Sequence, residues 1–422
     1  MPSEAGLTAS PSRFGALRSR NFAILWVGNL LSNIGSWMQN IAEPWLVLNL
    51  SNSPFLVGLD SFASGAPVWL LILWGGVLAD RRDRRSVIGL FQGVQAACPL
   101  LIVILLWLGK LNVTTIIALS AVVGITDALS MPAIQALIPS TVPDERVSSA
   151  VALNSAQFNL SRVLGPLAAG SVMAGFGAIA CFGFNFLSYV PFLGAIWLVS
   201  IPASASAPAA GQSAPTMSEA VRRVRGSPPL WRALLTVTFN GLFCTALVTF
   251  APVLVRDTFH RASGAFGGSL SVFGLGGILG AGLVLATIQS RSRQKLSAAA
   301  ALAAGILTVA VAFTPAFGLF VGLFFFVGAA MVTTNAASNS VLQSSVHSEL
   351  RGRIGSLYAL ALRGSSALGS ILTGVLVSHT EIRTGLLVNG ALAVVAQGWL
   401  GFLVWREGAP RAERLAIGKE GE

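Results

Sequence analysis

Apolar residues in this chain do not alternate with polar ones; they run on for about twenty to thirty positions and then stop. Twelve such runs follow one another. The first six fall at 21–49, 54–79, 86–109, 113–139, 147–175 and 178–200, the last six at 231–256, 264–290, 296–314, 316–343, 353–378 and 383–405. About 20 apolar residues in a helix match the hydrocarbon thickness of a bilayer, so each run is expected to cross a membrane as a helix.

The polar stretches divide these runs into two sets of six. Residues 1–20 are polar and basic, without the apolar core and small-residue cleavage site of a signal peptide, so none is expected there. A low-complexity linker, Ala203-Ser-Ala-Ser-Ala-Pro-Ala-Ala-Gly-Gln-Ser-Ala-Pro215, separates 21–200 from 231–405. It leads into Ser218–Arg225, read as a short basic helix on the membrane surface and part of a 201–230 connection. A charged tail, 406–422, closes the chain. The halves also repeat. Ser140-Thr-Val-Pro-Asp-Glu-Arg146 before the fifth run is echoed by Ser344-Ser-Val-His-Ser-Glu-Leu350 before the eleventh, and at the same offset Gly165 falls on Gly369 and Gly170 on Gly374. The expected fold is therefore all-α and integral to the membrane: twelve spans in two pseudo-symmetric six-helix bundles, the repeat logic of a transporter rocking about a central site.

Charge orients this layout. Lys and Arg number 27, and 21 of them lie in segments on the side of the N-terminus, against Lys110, Arg256, Arg261 and Arg383 on the other; Arg162 and Arg363 lie inside helices. By the positive-inside rule both termini face the cytoplasm. The same scatter accounts for the net charge of +11 without nucleic acid as a partner, because the arginines form short clusters between apolar runs rather than one basic surface. Only 10% of residues are charged and the mean hydropathy is +0.74, where a soluble protein has about 25% charged residues. The partner solvent is lipid. Cys98, Cys181 and Cys244 lie singly in apolar runs, so neither a disulfide frame nor a metal site is expected. No P-loop, GxSxG or HExxH pattern occurs, which leaves ATP-driven transport and hydrolysis without a basis; no enzyme and no cofactor is expected.

The sharpest local signal is the turn after the second run, Gly75-Gly-Val-Leu-Ala-Asp80-Arg-Arg-Asp-Arg-Arg85. Its G-x-L-A-D-R-x-x-R-R spacing, with Gly76, Asp80, Arg81, Arg84 and Arg85, resembles the signature loop of the major facilitator superfamily, where the carboxylate and arginines latch helix ends. That family usually has glycine at the position of Asp83. Arg162, Gly165, Pro166 and Gly170 in the fifth run resemble in part the helix 5 motif of the superfamily's antiporters; the plainer reading is a kinked span with close-packing glycines.

Polar side chains inside spans are costly, so their places are informative. Asn29, Asn33, Ser36 and Asn40 share one face of the first helix, and Asn335, Asn339 and Gln343 one face of the tenth. Asn240 lies in the seventh, and Asp127, Ser130 and Gln135 in the fourth. Any one asparagine can be explained as a hydrogen bond between helices. As a set, Asn29, Asn33, Asn40, Asn240, Asn335 and Asn339 are candidates to line a substrate cavity, because the resemblance makes helices 1, 4, 7 and 10 the cavity-lining ones. Three carboxylates are candidates for proton coupling. Glu43 and Asp60 lie toward the far surface, where Glu43 is open to solvation; Asp127 is mid-helix and either pairs with Arg162 or binds a proton reversibly.

Several further segments resemble one subgroup: Phe14-Gly-Ala-Leu-Arg-Ser-Arg-Asn-Phe22, Ile34-Gly-Ser-Trp-Met38, Trp45-Leu-Val-Leu with Ser53-Pro54, Pro132-Ala-x-Gln-Ala136, and Ala152-Leu-Asn-Ser with Arg162-Val-Leu-Gly-Pro166. They are similar to the transmembrane secretion effectors, which include enterobactin exporters and relatives of macrolide efflux proteins. The resemblance spans about residues 14–405. It implies a proton-driven exporter in a bacterial inner membrane; the first expectation for its cargo is a small amphipathic molecule, a siderophore-like metabolite or a drug, carried by a monomer. The alternatives are a nutrient importer on the same fold and a sensor or assembly factor without transport; the latter lacks the signalling domain it would need.

Overall fold

The computed structural model describes residues 15–199, 217–287, 290–346 and 348–406. Among them every regular element is helical. The first half holds α1 (Arg20–Ser51), α2 (Pro54–Gly65 continuing as Pro67–Arg81), α3 (Arg84–Trp107), α4 (Val113–Leu137), α5 (Val147–Phe176) and α6 (Ala178–Leu198). The second half holds α7 (Pro228–Thr258), α8 (Ser263–Leu285), α9 (Ser290–Ala312), α10 (Phe317–Ser344), α11 (Ser348–Ala359, a π turn Leu360–Gly364, then Ser365–His379) and α12 (Ile382–Arg406). The linker 203–215, the tail beyond Arg406 and the Asp80 side chain lie outside the described residues.

Local chemistry sets the helix ends. Asn52 closes α1 at φ 51°, with its N–H on the Leu48 carbonyl. Ser53 then caps α2 and Pro54 takes its first position, where the missing N–H costs nothing. Asn112 caps α4 by accepting from Thr115 N at 2.8 Å. Asp83 caps α3, accepting from Ser86 N at 2.9 Å and Ser86 Oγ at 2.8 Å. The residue that departs from the superfamily's glycine thus starts the next helix, and the turn needs no left-handed residue.

Ten helices among the described residues are long and apolar enough to cross a membrane. The remaining two, α1 and α5, have the length, 32 and 30 residues, but not the composition. Their asparagines, glutamines and Arg162 dilute the apolar runs, and several of those side chains, Asn29, Asn33, Gln39 and Gln157 among them, prove to face the interior. Large apolar side chains such as Leu70, Trp107, Phe176, Leu198 and Leu285 are exposed, as expected for a lipid-facing surface.

The halves are joined along two seams, α2 against α11 and α5 against α8. A methyl group on Gly170 would come within 2.2 Å of the Gly267 carbonyl oxygen, and one on Gly374 within 3.2 Å of the Gly58 Cα. Inside the halves the match continues: Gly165 lies against Trp37 of α1, and Gly369 against Leu242 of α7. The glycine pairs read as a repeat in sequence thus make equivalent helix crossings in space, α5 on α1 and α8, α11 on α7 and α2.

In the signature turn Gly75 packs closely: a methyl on it would meet the Ala128 carbonyl oxygen at 2.5 Å, while Gly76 faces open space. The basic segment forms a helix, Met217–Arg225, but its apolar side rests on protein. Ala220 and Val224 are buried with Leu230, Val341 and Ile354, leaving Arg222, Arg223 and Arg225 exposed. Ala220 and Val224, with Met217 packed beside them, find their contact on the bundle rather than in lipid.

Candidate functional site

A cavity of about 150 Å³ lies between the halves. Asn29 and Asn33 of α1, Asp127, Met131 and Gln135 of α4, and Asn154, Gln157 and Phe158 of α5 line one side. Asn339 and Gln343 of α10 and Tyr358, Leu362 and Arg363 of α11 line the other. All these positions lie toward the helix ends that carry the 81–85 arginine turn. The opposite end is sealed. Trp45 of α1 stacks on Phe266 of α8 (centroids 5.3 Å apart, planes at 12°), Arg256 of α7 donates to the Leu48 carbonyl at 2.8 Å, and a buried apolar cluster runs across both halves. The cavity is therefore open toward one end only.

The amides of the lining are partly organised. Asn33 Nδ2 donates to the Asn29 carbonyl (2.8 Å) and to Asn29 Oδ1 (2.9 Å), and Asn29 Nδ2 donates to Gln157 Oε1 at 3.0 Å, tying α1 to α5. Of the six asparagines expected at the cavity, Asn29, Asn33 and Asn339 line it. Asn40 does not: it is on the exposed side of α1. Asn240 and Asn335 do not either; both are buried and hydrogen-bonded to each other at 3.4 Å, linking α7 to α10. For these two the plainer reading, an interhelical hydrogen bond, is what the structure contains.

Asp127 does pair with a guanidinium, but not that of Arg162. Its partner is Arg363, which reaches across from α11 so that the ion pair joins the two halves over the cavity. Arg363 stands in the π turn Leu360–Gly364, a local widening of the helix of the kind often found at functional sites. Arg162 instead donates to the Tyr358 hydroxyl at 3.4 Å and lies 5.7 Å from the centroid of the Trp37 ring. Its direction around the helix axis is what turns it away from Asp127.

Glu43 and Asp60 were expected near the far surface, with Glu43 solvated; both are buried, at 6% and 3% exposure. The Ser120 hydroxyl of α4 lies between them, in contact with a Glu43 oxygen and 2.7 Å from an Asp60 oxygen, and 3.0 Å from the Ile116 carbonyl. Gln39 Nε2 reaches Glu43 at 3.3 Å, and Gln39 Oε1 accepts from Asn185 of α6 at 2.6 Å. Among the described residues no cation is a hydrogen-bond or ion-pair partner of either. A hydroxyl has one hydrogen, so two ionised carboxylates would leave at least one of these close oxygen contacts without a proton between its atoms. The arrangement is suited to a carboxyl and a carboxylate that share a proton.

At the signature turn, Arg84 Nη1 donates to the Ala136 carbonyl at 3.3 Å, fastening the start of α3 to the end of α4. Arg81 is exposed, and Arg85 Nη2 is buried without a hydrogen-bond partner. Gln157, Ser120 and Tyr358 were not singled out from sequence. A glutamine, a serine and a tyrosine in apolar runs carry no signal until their neighbours are known. Arg363 did carry one, as one of two basic residues inside spans.

The model of the transmembrane secretion effectors matches residues 11–411. The chain belongs to this family. Among its relatives is an uncharacterised MFS-type transporter, YfiS, of Bacillus subtilis, 25% identical over 388 residues, which cover 88% of this chain and 90% of that one. The enterobactin exporter EntS of Citrobacter koseri is 22% identical over 391 residues, 90% of this chain and 92% of that one. Among solved structures, a bacterial homologue of the human lysosomal transporter Spinster, in an inward-facing and unoccupied conformation, matches with a TM-score of 0.69. Its sequence identity is 16%, and the match covers 94% of this chain and 98% of that one. The fold is thus that of a major facilitator transporter, and the chain is a multi-pass membrane transporter rather than an enzyme.

Proposed function

We propose that this transporter exports an amphipathic small molecule, a siderophore-like metabolite or a drug, across a bacterial inner membrane in exchange for protons. The observation that carries the reading is the one-ended cavity whose walls come from both halves. Rocking one half against the other would open the sealed end and close the present mouth, which is alternating access. The excess of arginine on the open side puts that mouth, and both termini, in the cytoplasm. A mouth there receives cargo from within. Similarity to an enterobactin exporter supports the same direction.

Proton exchange needs a group that binds a proton in one access state and releases it in the other. The Glu43–Ser120–Asp60 arrangement is our first candidate, because two buried carboxylates without a cation are poorly tolerated unless protonated. It lies beside the sealed end, and opening that end would hydrate it. Asp127 keeps a second role as the group that closes onto Arg363. The Asp80–Arg85 turn is proposed to bias the access states by fastening helix ends, as Arg84 does between α3 and α4.

The test is flux in vesicles containing the purified protein, with enterobactin and a panel of drugs as trial cargo. An imposed proton gradient should drive at least one of them uphill from the arginine-rich side, and dissipating the gradient should stop it. Accumulation in the opposite direction would replace the exporter with an importer.

A further inference from the structure

Charge around the cavity is unequal. Asp127 is the one carboxylate among the lining residues, and Arg363 faces it from the other half. Arg162 stands directly behind the lining, on the Tyr358 hydroxyl and over the Trp37 ring, and neither neighbour brings a negative charge. Tyr358 does not offset it: while accepting from Arg162 it donates its own hydrogen to the Asn335 carbonyl at 3.2 Å. A guanidinium has five N–H donors, and among the described residues the one hydrogen bond of Arg162 is long. One carboxylate is therefore set against two guanidiniums around the cavity. The remaining polar lining is uncharged and rich in amides, among them Asn29, Gln135, Asn154, Gln157 and Asn339.

We infer that the cavity selects an anionic, hydrogen-bonding molecule, one bearing a carboxylate or a comparable oxyanion that docks on Arg363 in place of Asp127. This rests on the transporter reading above and names its substrate class. The planar guanidinium fork matches a carboxylate with two parallel hydrogen bonds, and Asp127 already uses that complementarity. In the empty cavity Asp127 is the internal stand-in for the substrate's anion and holds Arg363 neutralised. When the substrate arrives, its own anionic group takes over, with Arg162 adding a favourable field from behind Tyr358. A cationic molecule meets the reverse situation. It has to displace Arg363 from Asp127 and then sit beside two guanidiniums.

The consequence has a definite sign: Asp127 competes with an anionic ligand and would cooperate with a cationic one. The full-length protein, purified in detergent, is heated in the presence of increasing salicylate, citrate or tetraphenylphosphonium, and its unfolding midpoint is followed. Each variant is referred to its own ligand-free midpoint, so altered stability does not enter the comparison. At least one of the two acids should raise the midpoint, and the phosphonium should not. Asp127→Asn should lower the half-saturating acid concentration by about tenfold, and Arg363→Gln should raise it by about tenfold or more. Arg162→Gln should raise it by a smaller factor. Stabilisation by the phosphonium alone, weaker acid binding in Asp127→Asn, or no response to any of the three probes overturns the proposal. The transporter reading is decided separately by flux in vesicles, so acid binding without flux would remove that reading and leave the anion site standing.

Discussion

Glu43 and Ser120 in the first half stand where, 204 residues on, the second half has Leu247 and Phe324. The backbones correspond, since α4 and α10 begin at Val113 and Phe317 and the glycine crossings match. The interiors do not. In the second half Phe324 stacks with Phe320 at 5.0 Å and packs on Phe273 at 4.9 Å, inside a fully apolar cluster. In the first half the same region holds two carboxylates, a serine, and the Gln39–Asn185 pair that braces one of them. Duplication thus fixed where helices cross, while side-chain chemistry diverged. An aromatic cluster stabilises by burial and has no second state to enter on gaining or losing a proton. A buried carboxylate pair has one, and among the described residues it is found in the first half.

The sharpest way to break this contrast is to remove the proton site from the first half. Glu43→Gln with Asp60→Asn should abolish uphill transport driven by a proton gradient while leaving exchange between equal pools, since alternating access survives. Gradient-driven and equilibrium fluxes in the same vesicles, at matched protein level, separate the two. Undiminished uphill transport would move coupling to Asp127.

A smaller effect is expected where the halves meet. Asp127→Asn leaves Arg363 as a lone, partly exposed cation, and should lower stability by about 1–2 kcal/mol. Adding Arg363→Gln should restore the unfolding midpoint, whereas adding Arg162→Gln should not. Rescue by the Arg162 change instead would return Asp127 to the partner inferred from sequence.

The smallest effect concerns a turn that the halves do not share. Asp83 caps α3, while the corresponding stretch Arg291-Ser-Arg-Gln-Lys295 has no aspartate. Burial opposes the Asp83 charge, but hydrogen bonds from Ser86 and the nearby Arg85 outweigh it and hold the carboxyl below its usual range. A depressed carboxylate stabilises above its unfolded value, and that contribution fades as pH falls through the folded one. Asp83→Ala should therefore cost about 1 kcal/mol near neutral pH, with the difference from the parent shrinking in acid. Thermal unfolding at pH 7 and at pH 3 is the measurement, and an equal deficit at both would assign the effect to backbone entropy.

Much of this architecture was legible because a bilayer is a severe solvent. It demands long apolar helices and penalises polar side chains between, so the spans, the halves and much of the polar faces of α1 and α10 follow from order and composition. The glycine repeat even indicated which crossings would correspond. Sequence position gives the depth of a residue along its helix but not what its side chain meets across the bundle. For that reason Asp127 and Arg162 looked like partners, while the actual partner, Arg363, is 236 residues away in the other half. The same lack of azimuth left Asn40 among the cavity residues and hid Ser120, which matters only because α1, α2 and α4 bring two carboxylates to its hydroxyl. The sequence by itself determined that this chain crosses a membrane as paired six-helix halves. Only the tertiary structure decided which buried charges meet, because that depends on how helices rotate and cross once they pack.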